Sequence, residues 1–251
     1  MTRRALQNNA CRALACVLTL MLLSAGAAGA TLQVVTEDSS YSSLNNGKVV
    51  GTASAIVEQT LSLAGVTDYH MALYPWARSY DMARLEANVL IYPIIRSPER
   101  EALFHWVGKL DQVTPTFYKM RERRDVTVHS LQDARNYTVG VVRNDARQEY
   151  LESRAFKRMV VSATNVDNLR KLVSGQVALL PMPEREAREQ CRVLNIAYED
   201  LESVYTLDEL SNGLYVALSL STPVETVQRI TSAFAQLKDN GTVARALGQQ
   251  P

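Results

Sequence analysis

Short apolar runs alternate along the chain with stretches of helical spacing. Short apolar runs predict buried strands, and apolar residues that recur once per helical turn predict helices that cover one face of a sheet. Strands are predicted at residues 32–35, 70–73, 88–95, 138–142, 159–162 and 177–181. Helices are predicted at residues 51–63, 77–85, 146–156 and 166–172. This alternation favours an α/β fold built on mostly parallel sheets.

The end of the chain carries the clearest single helix. Residues 222–225 read Thr-Pro-Val-Glu, a capping box with proline at the first helical position. Apolar residues then recur once per turn until Asn240 and Gly241, a pair that predicts the end of the helix. A further helical pattern, at residues 184–193, contains Cys191.

Residues 1–30 have the pattern of a secretory signal sequence. Arg3, Arg4 and Arg12 form a basic region, residues 13–27 are apolar, and residues 28–30 match a small-x-small cleavage site. An N-terminal anchor helix is the alternative interpretation. We expect cleavage after Ala30 and export to the periplasm. The mature protein is expected to be soluble, because no later segment is apolar for long enough to cross a bilayer.

Charge limits the classes of partner, and length limits the number of lobes. The 251 residues carry a formal net charge of +1, and loss of the predicted signal, with its three arginines and no acids, lowers this to −2. A near-neutral chain gives no electrostatic reason to expect a nucleic-acid partner. The remaining length can bury a core as one large domain or as two smaller lobes.

Reactive side chains form no recognisable catalytic or metal-binding pattern. His70, His105 and His129 are scattered, and no His-Glu-x-x-His, Gly-x-Ser-x-Gly or glycine-rich phosphate motif is present. Cys191 is the only cysteine beyond the predicted signal, and its helical context favours a packed thiol over a nucleophile. We therefore expect no disulfide, no metal, no cofactor and no catalytic residue.

Two arginines follow the predicted strand at residues 88–95. Ser97 and Pro98 turn the chain there, between Arg96 and Arg100. The two guanidinium groups are either solvated loop charges or a binding site for an anion, and the pattern alone leaves both interpretations open.

Four stretches resemble the extracytoplasmic solute-binding proteins of family 3, the amino-acid-binding-like group. In order, they are LQVVTEDSSYSSLNNGKVVG at 32–51, YPWARSYDMARLEANVLIYPIIRSPEREALFHWVG at 74–108, YTVGVVRNDARQEYL at 137–151 and FAQLKDNGTVARAL at 234–247. The second stretch is the most specific. Together they extend over essentially all of the mature chain.

The resemblance implies a two-lobed type II periplasmic-binding-protein fold. Each lobe would be a mostly parallel sheet flanked by helices, and two hinge strands would join the lobes. Lobe 1 is expected at residues 31–118 with a C-terminal return at 212–251, and lobe 2 at residues 119–211. A solute would bind where the strand C-termini meet the cleft between the lobes.

The resemblance also implies ligand-binding residues. Arg100 takes the position of the arginine that holds a ligand carboxylate as a two-point pair, with a structural salt bridge as the alternative. Arg96 matches no ligand residue and is expected to be solvated or paired with Glu99. An equal alternative for Tyr41 is a position on the surface, and for Trp76 a position in the core. The further ligand-binding residues expected from topology are Tyr41, Trp76, Arg78, Glu37, Arg143 and Asp145.

The sequence departs from the amino-acid binders in the second lobe. Their acid, which takes the ligand's amino group, would fall where Met182 and Pro183 stand, with Glu184 just beyond. A buried ammonium group would then be left unpaired, so the predicted solute is small and polar or anionic.

The resemblance implies a monomer that delivers its solute to an ABC-type importer. A periplasmic ligand sensor for a membrane signalling partner is the alternative. A third possibility is an enzyme, a lyase or dehydratase with the same fold. The sequence does not separate transport from sensing.

Overall fold

The computed structural model describes residues 31–248 of the chain. The predicted signal sequence and its cleavage site lie outside the described residues, as do residues 249–251. The chain from Leu32 onward forms one compact unit. Within residues 31–248, every helix is too short or too polar to cross a bilayer.

Strands and helices alternate along the described chain. The strands are β1 (Leu32–Thr36), β2 (Ser43–Asn45), β3 (Lys48–Val50), β4 (Tyr69–Leu73), β5 (Val89–Ile95), β6 (Phe104–Val113), β7 (Thr116–Met120), β8 (Val139–Val142), β9 (Met159–Ser162), β10 (Leu180–Met182), β11 (Leu201–Thr206) and β12 (Asn212–Ser219). The α-helices are α1 (Thr52–Leu63), α2 (Trp76–Leu85), α3 (Leu131–Ala134), α4 (Ala146–Ser153), α5 (Asn165–Val173), α6 (Glu184–Leu194), α7 (Val224–Asp239) and α8 (Thr242–Ala246). Short 3-10 helices lie at Pro98–Leu103, Tyr198–Asp200 and Asp208–Leu210.

Lobe 1 is built on a five-stranded sheet in the order β4-β1-β5-β12-β6. Side chains alternate between the two faces of a strand. In β1, Val34 therefore packs with residues of α1 and α7, and Val35 packs with residues of α2 on the other face. Because helices cover both faces, every residue of β5 is buried, and the strand is an unbroken apolar run in the sequence.

Lobe 2 contains a three-stranded antiparallel sheet, β10-β7-β11, and a parallel pair, β8-β9. A parallel bridge between Val139 and Leu179 connects the two. Cys191 is 1% exposed in the core of this lobe, so the predicted packed thiol is confirmed. Burial raises the pKa of the Cys191 thiol, which keeps it in the unreactive protonated form.

The α/β fold class is confirmed, but the sheets are mixed rather than mostly parallel. In lobe 1, β12 runs antiparallel to both β5 and β6. The chain leaves lobe 1 at Val113, the end of β6, and returns at Asn212, the start of β12. A returning strand starts at the cleft, whereas the other four strands of this sheet end there, so β12 has the opposite direction.

The crossings between the lobes lie next to these strands. β6 belongs to the lobe 1 sheet and ends at Val113, and β7 belongs to the lobe 2 sheet and starts at Thr116. The predicted boundary after residue 118 therefore falls inside β7. The return crossing lies between Thr206 and Asn212, the end of β11 and the start of β12.

Candidate functional site

A partly open cavity of about 70 Å³ lies where strand ends from the two lobes meet. Glu37 follows β1, Ile95 ends β5, and Pro183 follows β10, and all three line the cavity. The charged side chains of its wall are Glu37, Arg100, Asp145, Arg147, Arg185 and Glu186. The arrangement matches the usual position of ligand sites in open α/β sheets.

The loop after β1 forms one wall of the cavity, where it carries Ser39, Ser40 and Tyr41. Tyr41 is buried, and its hydroxyl donates to Asp111 Oδ2 on β6 at 2.7 Å. Burial, with the bond to Asp111 adding to it, raises the pKa of Tyr41. Gly51 has φ 128°, and a Cβ there would lie 2.3 Å from the Tyr41 carbonyl oxygen. Glycine is therefore required where this loop packs on the start of α1.

Arg100 reaches across the cleft from lobe 1. Its Nε and Nη2 donate to Glu149 Oε2 and Oε1, both at 3.0 Å, and Nη2 also donates to the Asn144 carbonyl at 2.9 Å. The guanidinium carbon lies 4.6 Å from the centre of the Tyr80 ring, and the residue is 1% exposed. Arg100 thus forms the two-point pair expected for a ligand carboxylate, but with a carboxylate of the protein's own lobe 2.

Trp76 strengthens the same connection between the lobes. Its indole Nε1 donates at 2.9 Å to the Asn144 carbonyl that also accepts from Arg100. Its ring stacks on Tyr80, with the ring centres 5.7 Å apart, and the residue is 3% exposed. Trp76 therefore belongs to the core of lobe 1 and to the cavity wall at once. We call the contacts of Arg100 and Trp76 with Asn144 and Glu149 the first clamp.

Asp145 and Arg147 form a buried pair on the lobe 2 side of the cavity. Arg147 Nε and Nη2 donate to Asp145 Oδ1 at 2.6 Å and Oδ2 at 3.0 Å, and Nη1 donates to the Pro181 carbonyl at 3.0 Å. Burial raises the pKa of Asp145, but the adjacent guanidinium of Arg147 outweighs it and leaves that pKa below its ordinary value. Arg147 was not among the predicted site residues.

The first turn of α6 contacts the loop after β1 on another side of the cavity. Glu186 Oε2 accepts from the Ser40 backbone N–H at 3.1 Å, and Arg185 Nη2 donates to the Ser40 carbonyl at 3.2 Å. The Arg185 guanidinium lies 4.4 Å from the centre of the Tyr41 ring. We call these contacts the second clamp.

The second clamp corrects one sequence-based expectation. The acid that takes a ligand's amino group was expected to be missing from lobe 2, because Met182 and Pro183 stand at its position. Met182 is fully buried in the core, but Glu186 brings a carboxylate into the cavity wall. Glu184 lies on the exposed side of α6, where it pairs with Arg188.

Glu37 lines the cavity on the lobe 1 side and is half-buried. Burial raises the pKa of Glu37 to about 8, the carboxylates of Asp145 and Glu186 add to the shift, and Arg147 opposes it. The ionised form is disfavoured because two other negative charges face the same small space.

The structure brings five predicted residues to the cavity and leaves two outside it. The five are Glu37, Tyr41, Trp76, Arg100 and Asp145. Arg78 is exposed and lies over the Tyr74 ring, 4.1 Å from its centre. Arg143 is exposed. Its backbone N–H donates to the Ser162 carbonyl and so continues the pairing of β8. The chain turns toward the cavity only after this residue.

Arg96 is paired, but not with the predicted partner. Its Nε donates to Glu101 Oε2 at 2.7 Å, and its Nη2 contacts the other oxygen of the same carboxylate. Arg96 was expected to be either solvated or paired with Glu99. The pair with Glu101 is exposed, so Arg96 is the solvated arginine of the two that follow β5.

Three charged residues of the cavity wall were not predicted from the sequence, namely Arg147, Arg185 and Glu186. All three lie in the first turns of α4 and α6, which start at the cleft ends of β8 and β10. In lobe 2 the residues predicted from the sequence follow the strands directly. The first turns of the next helices also reach the cavity, because these helices start at the cleft.

The chain matches known proteins in fold but not significantly in sequence. No protein-family model and no curated protein matches the sequence significantly. A histidine kinase sensor domain with similarity to periplasmic binding proteins matches with a TM-score of 0.76 at 18% identity, over 89% of this chain and 99% of that one. The arginine-, lysine-, histidine-binding protein ArtJ from Geobacillus stearothermophilus gives 0.73 at 16% identity, over 88% and 96%.

A third solved structure shows the same relationship. The amino acid ABC transporter substrate-binding protein AbpA from Streptococcus pneumoniae, bound to L-arginine, gives a TM-score of 0.71 at 15% identity, over 87% of this chain and 93% of that one. Identities this low establish the fold and leave the ligand open, since one fold serves many functions. The resemblance to solute-binding proteins is confirmed at that level: the chain has the two-lobed α/β fold of type II periplasmic binding proteins.

Proposed function

We propose that this protein is a periplasmic solute-binding protein that captures a small polar solute between its lobes. The observation that supports this function is the cavity between the lobes, whose wall takes charged side chains from both of them. Concave sites with a few converging polar groups are the usual form of small-molecule sites. The similar solved structures described above are named as binding proteins or as a sensor domain, which favours binding over catalysis.

Of the predicted polar or anionic solute, the anionic alternative loses its support. Arg100, the arginine expected to hold a ligand carboxylate, already holds Glu149. Glu186 also brings negative charge to the cavity. We therefore retain a polar solute and drop the anionic one.

We propose that the protein acts as a monomer and delivers its solute to an ABC-type importer. A sensing role is the second candidate, because the match to a histidine kinase sensor domain covers 99% of that domain. Loss of solute uptake after gene deletion, with signalling intact, would support delivery. The reverse result would support sensing.

A thermal-shift screen tests solute capture directly. Amino acids, amines, polyamines, organic acids and short peptides are each added to the protein. A solute at about a hundredfold above its dissociation constant should stabilise the fold by about 2.7 kcal/mol. Ser40→Phe, which fills the cavity, should abolish the shift, whereas Ser153→Phe on the exposed side of α4 should keep it. Absence of a shift with every class of solute would contradict the proposed function.

A further inference from the structure

The charges around the cavity are unevenly paired. Arg100 is held by Glu149, and Arg147 is held by Asp145, each through two hydrogen bonds. Both guanidinium groups are therefore neutralised by carboxylates of the protein. An anionic solute would have to displace one of these pairs, and it would strand a buried charge in doing so.

Arg185 is the third arginine of the wall, and it is used to hold the loop after β1. Its Nη2 donates to the Ser40 carbonyl at 3.2 Å and to Thr52 Oγ1 at 3.4 Å, and its guanidinium covers the Tyr41 ring. Its immediate neighbour in the chain, Glu186, contributes an opposite charge to the same wall.

Two acids of the wall form no ion pair within the described residues, and neither does Arg185. Glu186 accepts from the Ser40 backbone N–H and from Gln190 Nε2, and it forms no ion pair within the described residues. The Glu37 carboxylate has no hydrogen bond or ion pair with any group among residues 31–248. A carboxylate without a partner in a small cavity is a site for a positive group.

A buried hydroxyl next to these acids also lacks a partner. Ser40 Oγ, in the cavity wall, is buried and accepts or donates no hydrogen bond among the described residues. Buried polar groups in native proteins are nearly always paired, so this hydroxyl is an exception in the wall of the cavity. In the same range of the chain, no group of three His, Cys, Asp or Glu is arranged to hold a metal ion.

We propose that the cavity binds a small organic cation, a protonated amine without a carboxylate, and that Glu37 is the residue that pairs with its ammonium group. This inference rests on the proposed solute-binding function and names the class of solute. The carboxylate of an amino acid is not needed, because Glu149 already fills that role at Arg100.

Binding of such a cation is coupled to a proton. The groups that face Glu37 are Asp145, Glu186 and Asp38, which disfavour its ionised form, and Arg147, which favours it. Near neutral pH the empty site therefore keeps a proton on Glu37. An ammonium group stabilises the carboxylate, so its binding releases that proton to the buffer while the amine stays protonated.

Matched triads of ligands provide the test. One triad is butylamine, its α-carboxylated form norvaline, and pentanoate, which lacks the amine; further triads use other short chains. Isothermal titration calorimetry near pH 7, in two buffers of different ionisation enthalpy, measures affinity and proton release together. We expect the amine to bind within about tenfold of the amino acid or more tightly, the carboxylate to bind much more weakly, and about one proton to be released.

Variants make the test specific to Glu37. Glu37→Gln should weaken amine binding by more than about tenfold and abolish proton release. Glu86→Gln, on the exposed end of α2, should leave both unchanged. Binding that requires the carboxylate, or a Glu37→Gln variant that binds amines as wild type does, would overturn the inference while leaving solute capture intact. Binding of no member of any triad would overturn it together with the proposed function.

Discussion

Arg100 of lobe 1 and Glu149 of lobe 2 face each other across the cleft as a two-point ion pair, with both nitrogen–oxygen distances at 3.0 Å. Resemblance to the amino-acid binders assigned this guanidinium to a ligand's carboxylate. Here a carboxylate of the protein has the same geometry. The arginine therefore connects the lobes, and selection of the solute falls to other residues of the cavity.

Loss of this pair should destabilise the protein. We expect Arg100→Ala to lower the free energy of unfolding by about 3 kcal/mol, near the lower end for a broken buried pair, because the Glu149 side chain is 32% exposed. Arg96→Ala, which breaks an exposed pair, should have a much smaller effect. Urea unfolding followed by circular dichroism measures both. Similar losses in the two variants would mean that the pair across the cleft adds no special stability.

The same pair should hold the cleft closed without a solute. Arg100→Ala and Glu149→Gln each remove contacts between the lobes, so the lobes should separate as rigid bodies about the hinge. Small-angle scattering of the solute-free proteins should show a larger radius of gyration for both variants than for wild type. Arg170→Gln, which breaks an exposed pair within lobe 2, is the control. Identical profiles for all four proteins would argue against the first clamp as a closing device.

Glu37 should make stability fall as the pH rises. Its pKa is raised from 4.5 to about 8 by burial, with Asp145 and Glu186 adding to the shift. Between these values the folded protein keeps a proton that the unfolded chain has lost, so the free energy of unfolding decreases with increasing pH. Glu37→Gln should remove this contribution and be more stable than wild type near pH 8.

Urea unfolding at several pH values between about 5 and 8 checks the sign. Glu86→Gln, an exposed substitution outside the cavity, should follow the wild-type pH dependence. If Glu37→Gln also follows it, the carboxyl group of Glu37 does not keep its proton in the folded protein.

Gly51 should be much less tolerant of substitution than Gly65. Both have positive φ, 128° and 67°, so alanine is strained at each. At Gly51 a Cβ would also meet the Tyr41 carbonyl oxygen at 2.3 Å, whereas at Gly65 nothing lies within 4 Å. Gly65→Ala should cost about 1 kcal/mol, the usual strain of a left-handed alanine, and Gly51→Ala clearly more. Thermal unfolding that ranks them the other way would show that the loop after β1 adapts readily.

Elements with strong local patterns were predicted from the sequence. β5 is an uninterrupted apolar run, and α7 begins at Val224 within the Thr-Pro-Val-Glu sequence, so each could be identified without knowing its neighbours. The predicted capping box does not form, because Pro223 is the N-cap and no side-chain capping bond is made. β6 was missed because its buried positions do not alternate, and its pairing with β12 shifts register twice. An irregular strand of this kind is defined by its partner rather than by its own sequence.

The residues of the site also differ in whether a local sequence pattern predicts them. Glu37 and Asp145 follow β1 and β8 closely, so their approach to the cleft follows from strand direction. Glu149, the partner of Arg100, lies 49 residues away on the other lobe. Only the docking of the two lobes brings these residues together, and no local pattern specifies it.

The shared acceptor of the first clamp has a kinetic consequence. Because Arg100 and Trp76 donate to one carbonyl, that of Asn144, separation of the lobes at this edge breaks both hydrogen bonds in a single event. A solute that enters at this edge reaches the cavity only after that event. In a stopped-flow experiment the observed association rate should therefore rise with solute concentration and then level off at the rate of opening.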